Sequence, residues 1–439
     1  MLRFLRERLG STVLPFSALA IADMAGKLLA FLTIPMITRR FGDGGFGNLG
    51  VATQMMLFAV LVGTCGLDVY SVRTVARQPK AIGRWASTVI LLRLSLGAVA
   101  YAVLMTLAFL VPQYRPVALL IAVFGLSLFT RALYLDWAAQ ALRATRVLAT
   151  AMFSIQLLYF GLVALAITTG VSIWGIALAQ ITAEALTAAG LFYWFHHHAA
   201  AFERPLPLRE WPSVLKQSSP FAGSQILRGA SLGLDLVLLS LFVVPSAEIG
   251  WLSAALKIFQ LCSGTAAVYF LILLPRLSRS AATGAEAMLQ ELSHSFRVIV
   301  PFAVAAAIGV GFFARPVLQL IGGSARFGAA ALALQVLLAA VVVGLINGHY
   351  RNALFALGRQ HADLRNVMAS SVVHLALKAA LIPGLGILGI AVGTLGGELV
   401  LTGLGAHTLR RAVRTNPAFV TPGDAPVPPI IAGVDHDPI

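Results

Sequence analysis

Apolar residues run along this chain in blocks of about twenty, broken by short polar stretches, and no block alternates strictly between apolar and polar positions. A helix of that length crosses the hydrocarbon of a bilayer, whereas a membrane β-barrel would show alternating segments of about ten residues, which excludes a barrel. The pattern predicts spans at 14–37, 48–70, 86–111, 116–138, 147–169, 171–195, 217–244, 249–275, 298–321, 328–349, 364–383 and 385–409. The first block opens on a basic segment, as a signal peptide would, but it continues through Asp23 and Lys27 to Ile37 and is too long for one.

The pattern is written twice. Pro15-Phe16 matches Pro220-Phe221, and about thirty residues later Phe46-Gly47 matches Ile249-Gly250. Asp23 then falls on Arg228. Ile173-Trp174-Gly175-Ile176-Ala177 with Glu184 returns as Ile387-Leu388-Gly389-Ile390-Ala391 with Glu398, each pair 214 positions apart, and Ala141-Leu142 and Ala356-Leu357 fall near the same offset. Six spans per repeat is an even number, so both halves enter the membrane in the same sense. The predicted fold is an all-α membrane protein of about twelve transmembrane helices, in two six-helix bundles related by a pseudo-two-fold along the membrane normal, with the natural ligand site between them. The expected division is an N-terminal bundle over 1–195, a cytoplasmic linker over 196–216, a C-terminal bundle over 217–409 and a Pro- and Gly-rich disordered cytoplasmic tail over 410–439.

Composition agrees. Hydrophobic residues make up 59% of the 439 and charged ones only 11%, which no ordinary globular protein shows. The formal charge of +15 suggests nucleic acid, but the basic residues sit in short loops and no soluble basic domain carries them. They fix topology instead. Arg3, Arg6, Arg8, Arg73, Arg77, Lys80, Arg84, the linker cations and Arg410, Arg411 and Arg414 all fall on one side, against Arg39, Arg40, Arg115, Arg315 and Arg326 on the other. By the positive-inside rule both termini are cytoplasmic in a multi-pass membrane protein. Cys65 and Cys262 lie inside spans without CxxC spacing, so neither a disulfide framework nor a metal site is expected, and the His196-His197-His198 tract has no companion ligands.

Charge inside the spans is the candidate chemistry, because a bare ion there costs several kcal/mol unless it meets protein or water. Arg228 is central in its span. It either pairs with Asp235 or Asp23, or walls a hydrated cavity suited to an anionic ligand such as phosphate, for which a guanidinium supplies a fork of donors. Lys27, Arg93, Arg131, Lys257 and Lys378 are the other intramembrane cations, and several lie close enough to a membrane face to snorkel. Asp23 and Lys27, at i,i+4, have the spacing to neutralise each other. Glu184 and Glu398 are near mid-membrane in equivalent helices, where they either carry a coupling H+ or Na+ or hydrogen-bond within their bundles. No nucleotide-binding motif and no large catalytic loop is present, so neither ATP-driven transport nor an enzyme, including a membrane polymerase, is expected, and no cofactor.

The order of SPF, an intramembrane Asp and EIGWLSAALKIF in 219–259, with FGDGGFGNLGVA, GLDVYSVRTVAR and YLDWAAQALRATR in the first half, resembles the bacterial polysaccharide transporters, or Wzx-type oligosaccharide flippases. That superfamily also holds the MATE drug exporters and the lipid II flippase. The resemblance implies a flippase that moves an anionic polyprenyl-pyrophosphate-linked oligosaccharide (an exopolysaccharide, O-antigen or capsule precursor) across the inner membrane by alternating access. It implies cavity roles for Asp23, Lys27, Arg228, Asp235 and Lys257. Expected partners are the lipid-linked glycan, membrane lipids, a coupling ion and polysaccharide polymerase machinery. A MATE-like exporter of small organic cations is the alternative, which a balance of six intramembrane cations to five acids disfavours. Twelve spans rather than the fourteen of lipid II flippases makes export of peptidoglycan precursor the weaker expectation.

Overall fold

The structure, a computed structural model, describes residues 2–242 and 244–414, with side chains from 21 onward apart from those at 77, 220, 221, 224, 267, 268, 271 and 272. The expected tail therefore lies outside the described residues from 415. Its first residues, Arg410 to Arg414, continue the last helix.

Among the described residues the secondary structure is helical throughout, without strands. In chain order the helices are α1 (Leu2–Thr64), α2 (Leu67–Arg77), α3 (Ile82–Leu110), α4 (Ala118–Gly125), α5 (Ser127–Ala132), α6 (Asp136–Ala141), α7 (Thr145–Thr168) and α8 (Trp174–Trp194). The second half holds α9 (Trp211–Gly233), α10 (Asp235–Leu241), α11 (Ser246–Thr283), α12 (Ala285–Phe312), α13 (Ala314–Gly322), α14 (Ala331–Ala356), α15 (Gln360–Leu385) and α16 (Ile387–Arg414). Nine helical stretches among the described residues are long and apolar enough to cross a membrane, and the first of these is two spans. At Gly42 the backbone turns through φ 70°, ψ −178°, conformations that only glycine adopts cheaply, so α1 folds back on itself into two arms. With α9–α10 and α11 the count reaches the twelve of the sequence pattern.

In the first half α1 packs on α3, α4, α5 and α7, and α8 closes against α4, α5 and α7. In the second half α14 is central, touching α11, α12, α15 and α16. Across the halves the main contact is α1 on α11.

That contact is uneven along the membrane normal. Toward the end opposite the basic loops, one apolar core runs through both halves, joining Ile37, Phe46 and Ile121 to Leu252, Leu318 and Leu334. Toward the basic end the core divides, with Leu92, Trp137 and Phe195 in one cluster and Leu277, Met288 and Leu354 in another. The halves are sealed at the far end and part at the basic end.

The seal depends on small residues. A Cβ built on Gly47 would lie 2.0 Å from the Ser246 carbonyl oxygen, and one on Gly250 would lie 2.1 Å from that of Asp43. Only glycine allows two backbones that close. Around the crossing, the Trp251 indole N–H donates to Asp43 Oδ2 at 3.0 Å and the Tyr114 hydroxyl to the Val237 carbonyl at 3.4 Å.

Two spans are broken within the membrane, where freed backbone groups need protein partners. The Arg93 guanidinium fills the break between α5 and α6, donating to the Tyr134 carbonyl at 2.9 Å and pairing with Asp68. The break between α9 and α10 is served from both sides. Gln54 Oε1 accepts the Leu236 N–H at 2.8 Å, and Lys378 Nζ donates to the Ser231 carbonyl at 2.6 Å and to Asp235 Oδ1 at 2.5 Å.

The linker is a strap rather than a free loop. The Glu203 N–H meets the Gly83 carbonyl at 3.5 Å, the Leu206 N–H donates to Thr88 Oγ1 at 2.9 Å, and Phe202 stacks on Phe192 with ring centroids 4.4 Å apart. Val214, at the start of α9, is buried in the first half's basic-end cluster. The far end of the same span is tied to α15 through Asp235 and Lys378.

Candidate functional site

Just inside the seal lies a cavity of about 380 Å³, walled by both arms of α1, by α4, α5, α7 and α8, and closed on the second-half side by α10 and α11. Its charged lining is Lys27, Arg131 and Lys257, with no acidic residue. The rest is apolar except for short hydroxyls, Tyr159 and the amides of Gln54, Gln156, Gln180 and Gln260.

Each cation is held differently. Lys27 Nζ bonds Asp23 at 2.5 Å, one turn back, and would lie 3.0 Å from a Cβ on Gly264, so it reaches across to α11. Arg131 Nε bonds Glu184 at 3.0 Å while its guanidinium lies over the Tyr134 ring, 5.5 Å from the centroid. Lys257 is exposed to the cavity and, among the described residues, has no hydrogen bond or ion pair. Asp23 and Glu184 thus orient one ammonium and one guanidinium from behind without lining the cavity themselves. Glu184 is fully buried and also accepts from Thr130 Oγ1 and Gln180 Nε2, each at 2.9 Å.

Two expectations are corrected, and the pairing alternative for Arg228 is removed. Asp235 does not face a cavity, because Lys378, fully buried rather than snorkelling, seals it in an ion pair at the helix break. Arg93, 3% exposed, is consumed by the break in the fourth span, since the freed carbonyl of Tyr134 demands a donor. Arg228 pairs with neither Asp23 nor Asp235 and is absent from the lining around Lys27 and Lys257. It is exposed, lies within electrostatic range of Arg351, Asp363 and Glu398, and carries no hydrogen bond or ion pair among the described residues. Glu398, 7% exposed, accepts from Asn347 Nδ2 at 3.1 Å, with His374 Nε2 4.0 Å away.

The structure therefore brings Lys27, Arg131 and Lys257 together, with Asp23 and Glu184 behind them, and leaves Arg228 and Glu398 on the second-half side. The four glutamines were missed. Neutral amides carry no charge signal; their recurrence on cavity-facing positions of α1, α7, α8 and α11 is the pattern that reveals them.

Among solved structures, the lipid II flippase MurJ in an inward closed conformation superposes with a TM-score of 0.72 at 13% identity, covering 89% of this chain and 87% of that one. A multidrug resistance MATE family transporter matches in its inward-facing conformation with a TM-score of 0.66 at 16% identity, over 89% of this chain and 99% of that one. An outward-facing MATE family structure matches less well, at 0.59, with 15% identity over 91% of this chain and 96% of that one. These likenesses show the twelve-helix fold. No curated protein matches the chain. The lipid II flippase MurJ family model matches residues 222–421, and the polysaccharide biosynthesis protein family model matches residues 15–281. With most of the chain inside the latter match, from the first span through the cavity-lining helix α11, the chain belongs to the polysaccharide biosynthesis protein family.

Proposed function

We propose that this chain is an inner-membrane flippase that carries an anionic polyprenyl-pyrophosphate-linked oligosaccharide from the cytoplasmic to the outer leaflet by alternating access. The observation that carries the reading is the cationic cavity: Lys27, Arg131 and Lys257 converge without an acidic neighbour in the lining, on the unsealed side of the Gly47–Gly250 crossing. Asp23 and Glu184 offset two of these charges from behind, and Lys257 is the cation left for a pyrophosphate to pair with. Arg228, unpaired and exposed, offers a further donor fork from the second half. By the positive-inside rule the basic end is cytoplasmic, so the conformation is open to the side where the lipid-linked precursor is made. The strap over 196–216 and the bundles on either side of it, 1–195 and 217–409, are the bodies that would rock. The cavity's sign speaks against the exporter of organic cations, which would need carboxylates in the lining.

A charged hydrogen bond to phosphate is worth about 1.5–3 kcal/mol, roughly ten- to hundredfold in affinity. Lys257→Ala should therefore cut polysaccharide output at least about tenfold while the protein remains inserted. Lys257→Arg should retain most of it. Normal output from Lys257→Ala, or hypersensitivity to cationic drugs in a deletion strain, would overturn the reading.

A further inference from the structure

Helices α12 and α16 both pack on α14, and at the basic end a groove of about 290 Å³ runs between them. Its walls are apolar: Leu289 and Leu292 come from α12, Leu409 and Val413 from α16. At the floor α14 and α16 come close, since a Cβ on Gly405 would lie 3.3 Å from that of Tyr350. The polar lining is Arg410, Arg414 and Tyr350, with no acidic residue. Arg410 and Arg414 stand one turn apart on α16, both exposed, and among the described residues neither guanidinium nor the Tyr350 hydroxyl has a hydrogen bond or ion pair. The groove thus joins hydrocarbon walls to two free cations and an unused phenol.

Depth narrows what could fill it. Arg410 lies about 35 Å along α16 from Ile387, just past the roughly 30 Å of hydrocarbon, so the two arginines stand at headgroup height. The span of α12 is exposed along most of its length, which puts the groove at the edge of the bundle, where lipid reaches it. A small soluble anion would satisfy the guanidinium groups and leave the apolar walls in water. A zwitterionic headgroup brings its own cation, for which the acid-free rim has no partner. An anionic lipid meets both halves of the groove, and basic pockets between helices at the cytoplasmic face are where such headgroups bind.

We propose that the groove between α12 and α16 is a binding site for an anionic phospholipid of the leaflet at the basic end. Its phosphate is held by Arg410, Arg414 and the Tyr350 hydroxyl, and the start of an acyl chain lies between Leu292 and Leu409. The lipid then ties α12 to α16 directly, where the protein links them through α14. The site shares no residue with the cavity around Lys257, so it stands or falls apart from the transport reading.

The test uses the full chain in detergent, with phosphatidylglycerol and phosphatidylcholine added separately, and reads the melting temperature and the lipid retained in native mass spectra. Phosphatidylglycerol should raise the melting temperature and stay bound; phosphatidylcholine should do neither, and equal effects from the two would overturn the site. Each arginine is worth roughly fivefold toward an anionic lipid, so Arg410→Gln with Arg414→Gln should weaken phosphatidylglycerol binding about twenty-five-fold. Arg276→Gln with Arg279→Gln removes two exposed cations from the same end of α11, outside the groove, and should leave binding unchanged. Equal losses from the two pairs would reduce the effect to diffuse charge attraction and overturn the site. Ala406→Trp fills the apolar groove with both arginines in place and should also weaken binding; Ala406→Leu serves if the larger variant does not accumulate. Full binding in the filled groove would mean that a phosphate is held without its chain, which counts equally against the proposal. Residues 415–439, with three aspartates and no lysine or arginine, are the other candidate occupant. If deleting them lowers the melting temperature of the lipid-free protein, and Arg410→Gln with Arg414→Gln cancels that loss, the groove holds the chain's own acidic segment and the lipid assignment fails.

Discussion

At the scale of single residues, burial cost singles out the charged side chains inside the spans but does not separate their tasks. Asp235, Arg93 and Lys378 are as expensive in hydrocarbon as Lys257, and the sequence offers no way to tell a charge that serves a helix break from one that serves a ligand. The breaks themselves are invisible in it. Leu133-Tyr134-Leu135 and Gly233-Leu234 look like ordinary span interior, yet at these breaks the carbonyls of Tyr134 and Ser231 claim Arg93 and Lys378. The two classes should separate on mutation. Removing one partner from the buried Lys378–Asp235 pair strands the other and costs about 3–5 kcal/mol, so Lys378→Ala and Asp235→Asn should each reduce the detergent-extracted folded protein. Lys378→Met with Asp235→Asn should recover much of it. Arg228→Gln, by contrast, should accumulate like the wild type, and a folding defect there would contradict its unpaired place in this structure.

Among elements, the helices were legible because each spans the membrane as one apolar block, and the paired repeats fixed their order. What the pattern left out is where helices bend. It read 14–37 and 48–70 as separate spans, and the structure joins them as α1 with a fold at Gly42. It also read 217–244 as continuous where α9 gives way to α10. The crossing of the second arm of α1 over α11 admits no side chain at Gly47 or Gly250. Gly47→Leu should therefore pry the far end apart and favour the opposite conformation. Cysteines placed at Thr53 or Ser253 measure this: membrane-impermeant maleimide added outside intact cells should label them in the Gly47→Leu background and spare them otherwise. Labelling that is the same in both backgrounds would mean that the glycine contact is not the seal.

For the whole molecule, the proposed orientation puts the basic loops, and with them the open end between the halves, on the cytoplasmic side. In intact cells, reagent from outside should reach cysteines in the Pro112 to Pro116 loop and at Ser246 to Glu248, and should spare those in the strap over 196–216. Labelling of the strap would invert the topology and with it the direction of transport. The seal carries one more implication. Gly47 and Gly250 are the same position of the repeat, and they meet each other across the axis that relates the halves. In a dimer of identical chains, a residue on the two-fold meets its own copy, and any change there is felt twice. The crossing has the form such a contact keeps after two copies of a gene are fused: a glycine opposite itself. Asp23 and Arg228, equally equivalent but facing different neighbours, are under no such constraint, and they differ in charge.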